Sequence, residues 1–197
     1  MKILIKLFSI LFLTLISLKH SLASDNLDNK NKYKFEKNHS SVMWIADHFG
    51  YSKVSGKFVD IDGTITFDEK NPQNSSVEAI IEIDSLVTGL PKFNEHLLSK
   101  DFFDEDKFET AKFVSKKVHK IKNKTAEIIG DLTLLGITKE VILKAEFNKS
   151  APNPMSQKPT IGFSAKTSIN RSDFGMKYAI PGIADKVDLI IEVEANQ

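Results

Sequence analysis

Few side chains in this sequence have the chemistry that catalysis or metal binding requires. The candidates are His39, His48, His96, Asp84, Ser85, Arg171 and Asp173. Three histidines could bind a metal ion, and His96 could act as a base beside Ser85. However, His39 and His48 are nine residues apart, so they face opposite ways on a continuous strand. Because the chain also has no His-x-Glu-x-x-His helix and no Gly-x-Ser-x-Gly turn, we expect no catalytic residue, no metal site and no cofactor.

The same polar groups can instead serve the structure. Arg171 can pair with Asp173 or Asp185, and charge-assisted pairs of this kind are strong hydrogen bonds. Ser172 or Asp173 can cap a turn that ends at Gly175. This segment is therefore expected to order a loop.

The elements that position these groups are mostly β-strands, because apolar and polar residues alternate along the chain. In one segment, for example, Ile161, Phe163 and Ala165 share a face opposite polar residues. Short turn signals separate the strands, which favours antiparallel pairing. The predicted strands are 40–49, 54–67 with a bend at Gly56 or Gly63, 77–84, 111–118, 125–134, 141–148, 161–169 and 187–195.

One segment departs from the strand pattern. Pro91 can begin a helix, in which Phe93, His96 and Leu97 share one face. We therefore predict an all-β fold, an eight-stranded antiparallel barrel, with one short helix near residues 91–104 that closes one end. Such a barrel holds either packed side chains or one small ligand. The pattern does not distinguish a packed interior from a ligand cavity, because small inward residues occur in both. Here these residues are Ala46, Ala79, Ala145 and Ala165.

The first residues have the features of a secretory signal peptide. An apolar run from Leu7 to Leu18 follows Lys2 and Lys6, and it is too short to span a bilayer. We predict cleavage after Ala23, a flexible leader at 24–32, one domain at 33–197 and a periplasmic location.

The 27 basic and 26 acidic residues nearly balance, so the charge does not favour nucleic-acid binding. The chain has no cysteine, which excludes disulfides and a lipid-modified cysteine.

Taken in order, several short motifs resemble the YceI family of lipocalin-like periplasmic proteins that bind polyisoprenoids. The ordered set covers nearly all of the predicted domain, and its most specific part is Arg171-Ser172-Asp173-Phe174-Gly175. Two positions depart from the family pattern: Glu109 stands near the usual proline, and Trp44 stands where phenylalanine is more common. The other matching stretches are His39-Ser40, Gly56-Lys57-Phe58, Gly63 to Asp68, Asp84-Ser85, His96-Leu97, Asp101 to Asp104, Gly130 to Thr133, Gly136 to Lys139 and Asp185 to Val187.

The resemblance implies a lipocalin-like barrel with a long apolar channel that holds an isoprenoid. Phe102 and Phe103 beside the short helix are candidates for the channel mouth. Candidate wall residues are Val42, Trp44, Phe58, Phe67, Ile81, Ile83, Phe102, Phe103, Phe113, Ile128, Leu132, Leu143 and Phe163. Candidates for contact with a polar head group are His96, Lys92 and Arg171.

The leading functional hypothesis is a carrier for a long-chain isoprenoid lipid of polyprenyl or quinone type. One alternative is an envelope interaction or stress protein whose barrel is filled by side chains. A second alternative is a histidine-based metal hydrolase, in which His96 would be essential. An inner-membrane partner would be consistent with quinone binding, and barrels of this size exist both as monomers and as homodimers.

Overall fold

The computed structural model describes residues 31–197, apart from the side chains of residues 120 and 121. The predicted signal peptide and residues 24–30 of the predicted leader lie outside this range. The strands are β1 (Lys32–Phe35), β2 (Ser41–His48), β3 (Ser52–Phe58), β4 (Ile61–Thr66), β5 (Ser76–Glu82), β6 (Leu86–Val87), β7 (Thr110–Lys122), β8 (Thr125–Leu134), β9 (Ile137–Pro152), β10 (Pro159–Asn170) and β11 (Ile183–Asn196).

The strands form a closed antiparallel barrel. The sheet order is β1-β4-β5-β7-β8-β9-β10-β11-β2-β3-β6, and β1 also pairs with β11, which closes the ring. β2 pairs with the first part of β11 and β1 with its end, so these two strands share one position. β3 and β4 likewise share one position, because they are consecutive in the chain and separated only by residues 59–60. The barrel therefore has eight strand positions, which confirms the predicted fold class.

The predicted strand 54–67 is interrupted at residues 59–60, and both of its glycines lie inside strands. The bend predicted at Gly56 or Gly63 is therefore wrong. Both glycines allow close contact instead. A Cβ at Gly56 would lie 2.7 Å from the Trp44 ring, and a Cβ at Gly63 would lie 2.5 Å from the carbonyl oxygen of Glu78.

The predicted helix near 91–104 is shorter than expected. Helix α1 (Pro91–Leu98) begins at the proline and buries Leu97. The Ser99 N–H donates to the His96 carbonyl, and the residues after it form turns on both sides of Asp104, whose φ is +46°. Among the described residues, no helix has both the length and the apolar character needed to cross a membrane.

Strand β1 was not predicted. Its apolar residues Tyr33 and Phe35 alternate with lysines, but four residues are too short a run to stand out. The strand begins at Lys32, the last residue of the predicted leader. Phe35 pairs with Ala195 of β11 and packs beside the fully buried Ile161. This contact helps to close the barrel.

Candidate functional site

Two adjoining cavities occupy the interior of the barrel. The first, here called the turn-side cavity, has a volume of about 420 Å³ and reaches the β7–β8 turn at residues 123–125. The second, the helix-side cavity, has a volume of about 560 Å³ and reaches α1. Both volumes fall within the range of about 300–1,000 Å³ that is typical of ligand pockets. The cavities adjoin each other, because their walls share Val42, Ile81, Leu132 and Leu189, and together they are here called the channel.

The cavities exist because the alternating strands turn small or widely spaced apolar residues inward. Ala79, Ala145 and Ala165 line the turn-side cavity, and Ala46 lines the helix-side cavity. Larger inward residues such as Leu143 are only half-buried, although they face the barrel interior. In a close-packed core they would be enclosed on all sides. Side chains therefore fill only part of the interior, and the cavities occupy the rest.

All thirteen predicted wall residues border this space. Eight line the turn-side cavity: Val42, Phe67, Ile81, Phe113, Ile128, Leu132, Leu143 and Phe163. The other five line the helix-side cavity: Trp44, Phe58, Ile83, Phe102 and Phe103. Their contact with a ligand stays a prediction.

Aromatic rings surround the outer part of the turn-side cavity. Phe67 lies with its ring centroid 5.1 Å from that of Phe147 and 5.2 Å from that of Phe163. The Lys124 ammonium lies 5.8 Å from the Phe147 centroid. The wall here also includes the exposed residue Glu69. This end of the channel therefore changes from apolar to polar where it meets the surface.

Three segments from distant parts of the chain form the mouth of the helix-side cavity. They are the β2–β3 turn with Phe49, helix α1, and the loop at 175–182. Phe49 N–H donates to the Gly182 carbonyl at 2.7 Å, and a side chain at Gly182 would collide with the Phe49 ring. The wall includes exposed apolar residues, with Phe49 56% and Leu90 63% exposed. The mouth is therefore apolar where it meets solvent.

His96 lies at this mouth, in an edge-to-face cluster of rings. Its ring centroid is 5.1 Å from that of Phe102 and 5.5 Å from that of Tyr178. Its Nε2 is 3.5 Å from the Asp101 carboxylate, and its side chain is 45% exposed. Lys92 is exposed and does not line either cavity. Of these two head-group candidates, only His96 borders the channel.

Arg171 is buried at the end of β10, with 3% of its surface exposed. Its guanidinium donates four hydrogen bonds of 2.8–3.2 Å to the backbone carbonyls of Met176, Tyr178, Ile183 and Ala184. Burial lowers the pKa of this group from its usual value, and the charge of Asp185 opposes that shift. Its main partners are therefore carbonyls and not the carboxylate predicted, and four of its five N–H groups are already used.

Asp185 instead fixes the turn that follows Arg171. Its carboxylate accepts hydrogen bonds from the Ser172 N–H at 2.8 Å and the Ser172 hydroxyl at 2.7 Å. These bonds, with a smaller contribution from Arg171, hold the pKa of Asp185 below its usual range. The turn ends at Gly175, whose φ of +88° is a left-handed conformation that glycine adopts easily. The predicted turn end is confirmed, although the capping carboxylate comes from β11.

We expect Asp185→Asn to destabilise the protein in a pH-dependent way. A carboxylate whose folded pKa is lowered stabilises the fold above its unfolded pKa, and that contribution disappears as pH falls through the folded value. The difference in free energy of unfolding between wild type and the variant should thus be present at pH 7 and shrink below about pH 4. Urea unfolding at a series of pH values measures it, with the exposed Asp84→Asn as control. A difference that is constant with pH would contradict this assignment.

The remaining polar candidates do not form a catalytic group. The Ser85 hydroxyl donates to the Glu82 carbonyl at 2.6 Å and accepts the Val59 N–H at 3.2 Å, so it serves the backbone and not His96. His39 is exposed and lies 3.8 Å from Glu194. Within residues 31–197, no three histidine, cysteine, aspartate or glutamate side chains lie together where they could hold a metal ion.

Trp44, a residue of the helix-side cavity wall, contains a buried polar atom with no partner. The residue is 7% exposed, and its indole Nε1 is buried without a hydrogen-bond partner. It is the one buried side-chain nitrogen or oxygen of this kind in the part of the chain that the structure describes. Leaving such a donor unpaired costs about 1–3 kcal/mol.

Several residues of the cavity wall were not among the predicted wall residues. His48, considered only as a metal ligand, could have been predicted for the wall, because it has the same strand parity as Val42 and Trp44, and it does line the helix-side cavity. Tyr178 lies in a loop without periodicity. Phe49 ends the predicted strand 40–49 with the parity opposite to Trp44, and the structure instead places it in the turn after β2. Their positions depend on contacts between loops that are distant in sequence.

Comparisons with known proteins agree with the geometry. A family model described as "YceI-like domain" matches residues 33–195. A UPF0312 protein of Pseudomonas fluorescens (strain SBW25) is 40% identical over 164 residues, covering 82% of this chain and 84% of that protein. The solved YCEI protein of Campylobacter jejuni is 34% identical, with a TM-score of 0.68 over 77% of this chain and 89% of its own.

A solved polyisoprenoid binding domain from Saccharophagus degradans shares the fold at 12% identity. Its TM-score is 0.65, and the match covers 83% of this chain and 97% of that domain. The family model spans nearly all the described residues, and the Pseudomonas relative is similar over most of its length. The resemblance read from the sequence motifs is therefore confirmed, and the chain belongs to the YceI family.

Proposed function

We propose that this protein is a periplasmic carrier that holds a long-chain isoprenoid lipid, of polyprenyl or quinone type, inside the barrel. The observation that carries the proposal is the pair of adjoining apolar cavities, about 420 and 560 Å³ in volume. The shared fold with the polyisoprenoid binding domain of Saccharophagus degradans supports the same ligand class. The signal-peptide pattern at residues 1–23 supports the periplasmic location.

A long prenyl chain suits this channel for energetic reasons. Each methylene removed from water contributes about 0.8 kcal/mol, against the entropy lost when the chain is ordered. The half-buried inward residues, such as Ile128 and Leu143, would gain contacts that they lack in the empty barrel. A linear lipid would fill both cavities, whose walls share Val42 and Leu189, whereas a compact ligand would fill only one of them.

The helix-side mouth is suited to exchange lipid with a membrane. Phe49 and Leu90 place exposed apolar surface around the opening, and Tyr178 is also 45% exposed. Aromatic residues of this kind favour the boundary between water and lipid. The polar side chains nearby support a binding role and not a catalytic one, because Ser85 and Arg171 are engaged with backbone groups.

The test is native mass spectrometry combined with organic extraction, on protein purified from the periplasm of its own host or a related one. We expect one prenyl lipid for each chain, and extraction then identifies its class. Protein that arrives empty should take up an added polyprenol or prenylated quinone. An empty protein that takes up neither compound would contradict the proposal and favour a role on the outer surface of the barrel.

A further inference from the structure

Exposed apolar residues gather in the three segments that form the helix-side mouth. Of the eleven large apolar side chains that are exposed within residues 31–197, five belong to these segments, taken here as 47–53, 87–98 and 175–182. They are Phe49, Tyr51, Val87, Leu90 and Tyr178, here called the apolar rim. Three of them, Phe49, Leu90 and Tyr178, also line the cavity, so the rim is continuous with the channel.

Each of the three segments also carries an exposed lysine close to an exposed apolar residue. The pairs are Lys53 with Tyr51, Lys92 with Leu90, and Lys177 with Tyr178. None of these lysines forms an ion pair within residues 31–197. They are therefore free to meet an anionic surface.

Fewer carboxylates lie in the same segments. The Asp47 carboxylate accepts the Gly50 N–H at 2.7 Å within the β2–β3 turn. Glu95 is exposed on α1, and the loop at 175–182 has no acidic residue. Just beyond α1, Asp101 lies 3.5 Å from His96. Cations thus outnumber carboxylates in the segments that surround the mouth.

We propose that the apolar rim docks on a membrane that contains anionic phospholipid, with the three lysines near the lipid phosphates. This inference rests on the proposed carrier function and deepens it, because it names the surface with which the channel exchanges lipid. Buried apolar area and attraction to anionic lipid together set the strength of binding at a membrane surface. An isoprenoid then moves between the bilayer and the channel without crossing water.

Vesicle co-sedimentation tests the role of charge. Wild type should bind vesicles of phosphatidylglycerol and phosphatidylethanolamine, and bind phosphatidylcholine vesicles at least about tenfold more weakly. Removing the three lysine charges should weaken binding to the anionic vesicles at least about tenfold, and Glu95→Gln should strengthen it. The lysine variant combines Lys53→Gln, Lys92→Gln and Lys177→Gln.

The matched control removes the same charge from the opposite end of the barrel. It combines Lys34→Gln, Lys149→Gln and Lys158→Gln, all at exposed positions. This control should change binding to the anionic vesicles less than about twofold. Equal losses in the two triple variants would overturn the inference, because they would show an effect of net charge alone.

A fluorescent label reports which end of the barrel meets the membrane. The chain has no cysteine, so Leu90→Cys and Ser156→Cys each create one site for an environment-sensitive dye. Leu90 belongs to the rim, and Ser156 is exposed between β9 and β10 at the other end. Anionic vesicles should shift the emission of the dye at position 90 to the blue and leave the dye at 156 unchanged. An equal shift at both positions, or none at 90, would overturn the inference.

Uptake of menaquinone added from ethanol, without vesicles, separates docking from the carrier function. The lysine variant should take up the quinone as well as wild type, because its three altered residues line neither cavity. Wild type that takes up the quinone but does not bind anionic vesicles would overturn the docking and favour a protein partner at the rim. Wild type that docks on vesicles but takes up no prenyl lipid would contradict the carrier proposal and support the docking.

Discussion

Ala145→Phe should reduce the uptake of a prenyl lipid at least tenfold and leave the barrel folded. Ala145 lies in β9, paired with Ala126 of β8 and Ala165 of β10, and all three line the turn-side cavity. A phenylalanine ring at this level would fill space that the alanines leave open and would occupy the path of the chain. Excluding only two or three methylenes already costs about 2 kcal/mol, which is more than tenfold in affinity.

The fold should tolerate this change, because the new ring enters open space and does not displace packed side chains. The matched control is Ile142→Phe on the same strand, where the side chain points outward and is 46% exposed. Quenching of Trp44 fluorescence by an added menaquinone measures binding for both variants. If Ala145→Phe binds as well as the control does, the lipid does not reach the turn-side cavity, and the proposed long-chain ligand is wrong.

The strand alternation made most of the channel wall predictable. On β9, Val141, Leu143 and Ala145 face the cavity as their spacing requires, because successive side chains of a strand point to opposite faces. The same rule located Phe163 and Ile191 on neighbouring strands. Periodicity alone did not decide between a filled barrel and an open one. That difference depends on how far apart the inward side chains lie across the barrel.

The mouth was less predictable, because loops build it. Phe49 meets Gly182 and Tyr178 meets His96 through contacts between segments far apart in sequence. The partners of Arg171 were also hidden. A sequence displays nearby carboxylates such as Asp185, but it does not show which backbone carbonyls will lack a donor once a loop is folded.

We expect Arg171→Ala to lower the free energy of unfolding by about 3–5 kcal/mol, since it removes four hydrogen bonds from a charged group and leaves buried carbonyls unpaired. The lost hydrogen bonds hold the loop at 175–182, which forms one side of the helix-side mouth. Urea unfolding measures the change. The control is Lys166→Ala, an exposed cation on the preceding strand β10, which should cost less than about 0.5 kcal/mol.

Arg171→Lys separates the role of charge from that of geometry. Lysine keeps the positive charge but lacks the planar guanidinium, which donates to the Ala184 carbonyl through Nε and to the Tyr178 carbonyl through Nη2. If the fork orders the loop, the lysine variant should be nearly as destabilised as the alanine variant. Wild-type stability with lysine would mean that charge alone suffices there. Because the same loop borders the lipid path, the arginine is then expected to matter for binding through the shape of the mouth, and not by contact with a head group.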